Sequence, residues 1–213
     1  MSVAPDSFRQ QMTSLKQNKA VMVVPLDLTA LSMCTGTRVA ITFDDGYRDH
    51  LMIVAPMLAE LGIPFSVFVV PRYIESGHPY YLNVDQLSEL STMAGCTVGS
   101  HGMNHVRLVD LDEDALIREL RDSRQWLEDR LSRPVNMLAY PHGSVNQRVR
   151  NAAAAVGYTL GVCSHAGING EERDPLMLCR TEILGCDSLR VFHHKLSGAL
   201  DWRRLRVKDR ASI

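Results

Sequence analysis

The feature that most constrains this chain is its alternation of two periods. Apolar runs of strand length are followed, again and again, by stretches with apolar residues at helical spacing. Val39–Phe43 puts Val39, Ile41 and Phe43 on one face of a strand, and Tyr47–Leu61 then carries Leu51, Val54, Ala55, Leu58 and Leu61 as a helix that Gly62 stops and Pro56 kinks. Phe65–Val70 is almost continuously apolar, as expected of a strand buried on both faces. The same reading predicts helices over 5–15, 84–93, 111–131 and 145–156, the third capped by Asp110 or Asp112 and the fourth closed by Gly157. Strands are expected over 21–24, 96–100, 135–139, 158–162 and 180–184, a loop over 33–37, and a last helix marked by Leu189, Phe192 and Leu196. Repeating βα units return each strand parallel to the one before it, which leaves an α/β barrel or a doubly wound sheet. In both, chemistry gathers at the C-terminal ends of the strands.

Three strand ends carry reactive residues. Thr42-Phe43-Asp44-Asp45-Gly46 closes the first with two adjacent carboxylates. An Asp-Asp-Gly turn is ordinary surface chemistry, but neighbouring side chains at a strand end face different surroundings, so one carboxylate can bind a cation while the other moves protons. The strand over 96–100 runs directly into His101-Gly102-Met103-Asn104-His105, a spacing that places both imidazoles on one side of a helical turn. With eight histidines in 213 residues, about 0.3 such pairs arise by chance, so position carries the argument rather than spacing. Asp, His and His form a three-ligand set with open positions, the pattern of a catalytic metal. The third end, Tyr140-Pro141-His142-Gly143, is a tight turn expected to aim the His142 backbone N–H at the same cavity, where a fixed donor can steady an oxyanion.

Composition narrows the partners. The chain length suits one domain with a core that needs no staples, and a net charge of −1 gives no electrostatic reason to expect nucleic acid. Arg203, Arg204, Arg206, Lys208 and Arg210 make residues 201–213 a basic tail, read as a solvated terminus with peripheral contact to an anionic membrane surface as the alternative. No stretch has the roughly 18 apolar residues of a transmembrane segment. Five scattered cysteines without a C-x-x-C pair, and no apolar leader core in Met1–Lys16, lead to the expectation of a reducing, cytoplasmic compartment.

T-F-D-D-G at 42–46, S-H-x-x-x-H at 100–105 and A-Y-P-H-G at 139–143 together resemble the first three motifs of the polysaccharide deacetylases, the NodB-homology carbohydrate esterases. The similarity covers about residues 6–200. It implies a distorted (β/α) barrel with fewer than eight regular strands, and metal-dependent hydrolysis of N-acetyl groups on an amino sugar of a surface polysaccharide or its lipid-linked precursor. Asp45, His101 and His105 would hold a divalent metal, usually zinc in this family, with cobalt or nickel acceptable to the same donors. Asp44 would be the general base, and Tyr140 and His142 would face the substrate.

Departures from the pattern matter too. Ala139 stands where many members have an arginine that orients the base, and Arg180 is expected to supply that charge. His142 stands where the family has tyrosine, and the late Leu-x-x-His acid has no clean match. His165 is the first candidate for the acid and His142 the second, with His193 and His194 read as surface or packing residues, and Asp201-Trp202 as packing. Two other readings stay open: an O-acetyl esterase of the xylan type, and a carbohydrate-binding relic without turnover. An inner-membrane-face biosynthetic role follows only from the missing leader.

Overall fold

A computed structural model describes residues 3–28 and 36–198. The basic tail, Asp201-Trp202, Cys34 and most of the expected 33–37 loop lie outside those residues. The order is α1 (Pro5–Gln17), β1 (Val21–Val23), β2 (Thr37–Val39), β3 (Ile41–Phe43), α2 (Ala55–Leu61), β4 (Phe65–Val69), α3 (Pro71–Glu75), α4 (Val84–Thr92), β5 (Cys96–Ser100), α5 (Glu113–Leu131), β6 (Met137–Ala139), α6 (Gln147–Val156), β7 (Leu160–Val162) and α7 (Leu189–Leu196). Strands β3 to β7 form one parallel sheet in sequence order, and β1 and β2 form a separate parallel pair. The result is the curled α/β half-barrel that the resemblance implies, with a sheet of five strands.

Why these residues make these elements is largely local. β4 is buried at every position, so its run is apolar throughout. Asn83 and Gln86 form a reciprocal capping box at the start of α4. Asp112 rather than Asp110 caps α5, accepting from the Ala115 N–H at 2.8 Å, and Leu116, Leu120 and Leu127 are fully buried beneath it. Gly62 and Gly157 end α2 and α6 in the left-handed conformation, at φ 61° and 101°.

Four expectations need correction. The strand read over 39–43 breaks at Ala40, because Val39 still pairs with β1 whereas Ile41 has crossed to β4. The helix read from Tyr47 begins at His50 as a π-helical turn, His50–Val54, closed by the Ala55 N–H on the His50 carbonyl; α-helical pairing resumes around Pro56, which has no N–H to give. No strand forms over 180–184. Instead Leu178 bridges Val162 in parallel, with the Cys163 N–H donating to Leu178 O at 2.8 Å and the Arg180 N–H to His165 O at 2.9 Å. The fourth concerns residues 101–105, which are not helical.

Candidate active site

The three reactive stretches meet at one end of the sheet, as parallel strands require. Asp44 and Asp45 follow β3, His101 follows β5 with its N–H on Val69 O at 2.9 Å, and Pro141-His142-Gly143 follows β6 as a single 3-10 turn. Four described non-glycine residues have positive φ, and three of them are here: Asp45 (73°), His105 (57°) and His142 (58°). Such backbone is costly unless its surroundings enforce it, and it concentrates where side chains must be aimed.

That geometry explains how two histidines converge without a helix. His101 ends a strand, Gly102 turns at φ 73°, and His105 turns again, so the rings approach to 4.7 Å between centroids. Asn104, between them, is held from behind by Glu119 of α5: Oε1 accepts the Asn104 backbone N–H at 2.6 Å and Oε2 its side-chain amide at 2.7 Å. Glu119 is buried, and nothing in the local sequence of α5 marks it for this task beyond being a carboxylate on an inward face.

The tautomer of His101 is fixed by the same logic. Its Nδ1 lies 2.7 Å from the Ala139 carbonyl, which can only accept, so Nδ1 carries the proton and the Nε2 lone pair points into the site. Asp45 Oδ1 lies 3.7 Å from that Nε2 and 3.5 Å from His105 Nε2. It is buried and has no hydrogen-bond partner among the described residues. One ligand atom from each of Asp45, His101 and His105 falls within 4.8 Å of the others. An orphaned carboxylate oxygen facing the nitrogens of two imidazoles fits a divalent cation, and an N, N, O set is acceptable to zinc and its neighbours.

Asp44 is committed elsewhere. Arg180 grips it in a two-pronged pair, Nη1 to Oδ1 at 2.7 Å and Nη2 to Oδ2 at 2.8 Å. The guanidinium is itself oriented by the Cys163 carbonyl at 3.1 Å and Thr42 Oγ1 at 3.2 Å. Burial alone would raise the Asp44 pKa, but the Arg180 charge and hydrogen bonds outweigh it and hold the carboxyl below its ordinary value. The two aspartates therefore have different environments, one cationic and one facing imidazoles.

The remaining expected residues separate. His142 is exposed and reaches the site: its ring lies 4.5 Å from that of His105, with Nε2 donating to the His105 carbonyl at 3.2 Å. Tyr140, expected at the substrate, is fully buried and its hydroxyl donates to Leu176 O at 2.7 Å, so it is a core strut rather than a wall. His165 belongs to a different neighbourhood. Its interactions are with Cys163, whose thiol is pushed down to about 5 chiefly by a hydrogen bond from Cys179, against burial, with His165 adding to the effect. His193 packs on α1, its Nε2 2.8 Å from Ser14 Oγ.

Sequence reasoning missed His50. It is buried against Phe43 at 5.3 Å, its Nδ1 has no partner among the described residues, and burial lowers its pKa although Asp49, Asp44 and Asp45 pull the other way. Its place five residues beyond Asp45 was the available signal. Tyr47 was read as part of a helix, yet it lies beside Asp45; burial and then the Asp45 charge raise its pKa to about 12.

Comparison with known proteins agrees with this geometry. The family model described as polysaccharide deacetylase matches residues 34–161. The chain belongs to the polysaccharide deacetylase family. It is 28% identical to YxkH of Bacillus subtilis over 145 residues, 68% of this chain and 51% of that protein. It is also 25% identical to Chitin deacetylase 1 of Cryptococcus neoformans over 119 residues, 56% of this chain and 24% of that protein. The chain thus spans about half or less of the curated relatives it matches. Among solved structures, the Streptococcus pyogenes deacetylase PplD in complex with acetate superposes with a TM-score of 0.83 at 27% identity, over 91% of this chain and 87% of that one. IcaB from Ammonifex degensii shares the fold, with a TM-score of 0.81 at 22% identity over 92% and 90% of the two chains.

Proposed function

We propose that this protein removes N-acetyl groups from an amino sugar in a polysaccharide or its precursor, using Asp44 as general base. The observation that carries the reading is the division of labour between the two aspartates: Asp45 Oδ1 is buried without a partner toward His101 and His105, while Asp44 is held ionised by Arg180. A binding module has no need of an unprotonated base beside a carboxylate oxygen turned toward two imidazoles, which argues against a relic. Supporting it further is the likeness to a deacetylase solved with acetate, the acid released by such a reaction.

A divalent cation held by Asp45, His101 and His105, zinc first and cobalt or nickel next, would supply Lewis acidity to the acetyl carbonyl and to an attacking water, lowering the pKa of that water toward about 7. Asp44 takes the proton of the water as it attacks, and Arg180 keeps the carboxylate ionised and aimed. The backbone of the Pro141–Gly143 turn borders the site where the tetrahedral oxyanion forms. His142 is the better-placed general acid, because its ring lies beside that of His105 and its Nε2 is engaged with the His105 carbonyl. His165, which the sequence favoured, is instead engaged with Cys163.

Acetate release from N-acetylglucosamine oligomers is the test, measured after chelation and again after zinc, cobalt or nickel is restored, with Asp44→Asn as control. Metal-restored release that the variant lacks supports the proposal. Faster release from acetylated xylan than from any N-acetylated glycan would replace it with the esterase reading. Comparing finished polymer with a lipid-linked precursor then narrows the substrate.

A further inference from the structure

The segments that follow β7 hold two thiols that the reaction does not use. Val162 and Leu178 bridge in parallel, and the Cys163 N–H donates to Leu178 O at 2.8 Å. Matched positions of a parallel pair turn their side chains to the same side, so Cys163 and Cys179, one residue beyond the bridge, face each other across backbones about 5 Å apart. That separation falls within the roughly 4.4–6.8 Å between Cα atoms that a disulfide spans. Both residues are thiols in this structure, and the two side chains are hydrogen-bonded to each other.

Their surroundings suit oxidation rather than packing. Cys163 is buried and Cys179 half-buried, so a water-sized oxidant reaches the second sulfur first. Arg173 Nη2 donates to Cys179 Sγ at 3.1 Å, a cation placed to favour a thiolate. The pair also gives up a proton readily: the hydrogen bond from Cys179, against burial and aided by His165, pushes the Cys163 thiol down to about 5. A cysteine that only packs behaves in the opposite way, as at Cys96, where burial pushes the thiol up to about 12.

The pair lies directly behind the arginine that holds the base. Arg180 follows Cys179 in the chain; its N–H donates to His165 O at 2.9 Å and its Nε to Cys163 O at 3.1 Å, while its two Nη atoms grip Asp44. We infer that Cys163 and Cys179 form a redox switch, which a hydroperoxide closes to a disulfide that draws Arg180 off Asp44 and lowers turnover until a dithiol reopens it. In the first step the Cys179 thiolate attacks a peroxide oxygen, the O–O bond breaks, and the departing hydroxide takes a solvent proton and leaves as water. The Cys163 sulfur then attacks Sγ of the resulting sulfenic acid; the S–S bond forms, the S–O bond breaks, and the Cys163 proton leaves with the hydroxide as a second water. The two sulfurs together lose the two electrons that reduce the peroxide. Closure moves the carbonyl that orients Arg180 and the residue before it, and a two-pronged ion pair tolerates little displacement. The effect on turnover rests on the deacetylase reading, whereas closure and the shift of Arg180 do not.

Reduced protein is treated with hydrogen peroxide, and linked peptides are mapped by mass spectrometry while acetate release and amide exchange around Arg180 are followed in the same samples. The expected result is a Cys163–Cys179 link, a fall in release of about 10-fold or more and faster exchange of the Arg180 N–H, all reversed by dithiothreitol. Cys179→Ser keeps a hydroxyl for Arg173 and should release acetate at the wild-type rate before and after peroxide; Cys163→Ala serves as a second control should Cys179→Ser fail to fold. Absence of the link, a link that leaves release unchanged, or an equal loss in Cys179→Ser overturns the switch and leaves the deacetylase reading intact. If the reduced protein releases no acetate from any substrate, the deacetylase reading falls; a reversible link with faster Arg180 exchange then upholds the switch, and a link without it overturns the switch.

Discussion

Arg180→Met isolates the contribution of one side chain to the base. Methionine keeps much of the stem and removes two charge-assisted bonds, at 2.7 and 2.8 Å, from Asp44. Breaking a fully buried pair costs about 3–5 kcal/mol. Here the Asp44 side chain is 32% and the Arg180 side chain 16% exposed, so solvent screening reduces the expected loss of stability to about 1–3 kcal/mol. The pH dependence has a definite sign. Because the folded pKa of Asp44 lies below its ordinary 3.8, the pair stabilises fully above that value and the stabilisation is lost as pH falls through the folded pKa. Without Arg180, burial is left to raise the carboxyl, so the acidic limb of kcat/KM should move to higher pH, since the base must be ionised to act. A base free to rotate loses about 100-fold in turnover. Acetate release across a pH series, alongside metal stoichiometry, makes the measurement: activity falls, the limb moves up, and bound metal stays at wild-type level because Arg180 touches none of the three candidate ligands. Arg180→Lys restores the charge without the two-pronged geometry and should recover only part of the rate. Near-wild-type turnover with an unmoved acidic limb in Arg180→Met would refute the reasoning.

Three further outcomes are expected. His142→Gln should lower kcat by about 100-fold or more and flatten the basic limb of the pH profile, whereas His165→Gln should leave both close to wild type; the reverse result would return the acid role to His165. Glu119→Gln turns an amide donor toward an Asn104 donor, so thermal unfolding should report a loss of about 1–3 kcal/mol and metal titration a 10- to 100-fold weaker site; unchanged metal affinity would show that the 101–105 loop holds its shape without this buried carboxylate. Gly99→Ala places a methyl 2.6 Å from the Phe68 ring and 3.0 Å from Met137 O, which should destabilise the sheet by about 1–3 kcal/mol in denaturant unfolding. A smaller loss there would mean that β4 and β6 can spread at that point.

Much of this protein was legible in one dimension because the deciding interactions are local. The two periods gave the elements, the caps and glycines gave most helix ends, and the rule that parallel strands expose their C-terminal ends to chemistry points to one place for Asp44, Asp45, His101, His105 and His142. Where the reading failed, the cause was non-local. The break at Ala40 depends on which sheet each half joins. Residues 180–184 have strand composition but find only the bridge between Leu178 and Val162 beside β7. Tyr140 lies in a reactive motif, yet packing turns it into the core.

The sequence by itself determined which groups could react, since ligand chemistry is a property of residue type and strand position. Tertiary structure alone decided their roles. The Arg180 pairing with Asp44 spans 136 residues, Glu119 steadies a loop from a separate helix, and His142 and His165 are equivalent as letters until one is set against His105 and the other against Cys163. Charge, orientation and protonation depend on distances of a few ångströms between segments far apart in the chain, and only the packed fold sets those distances.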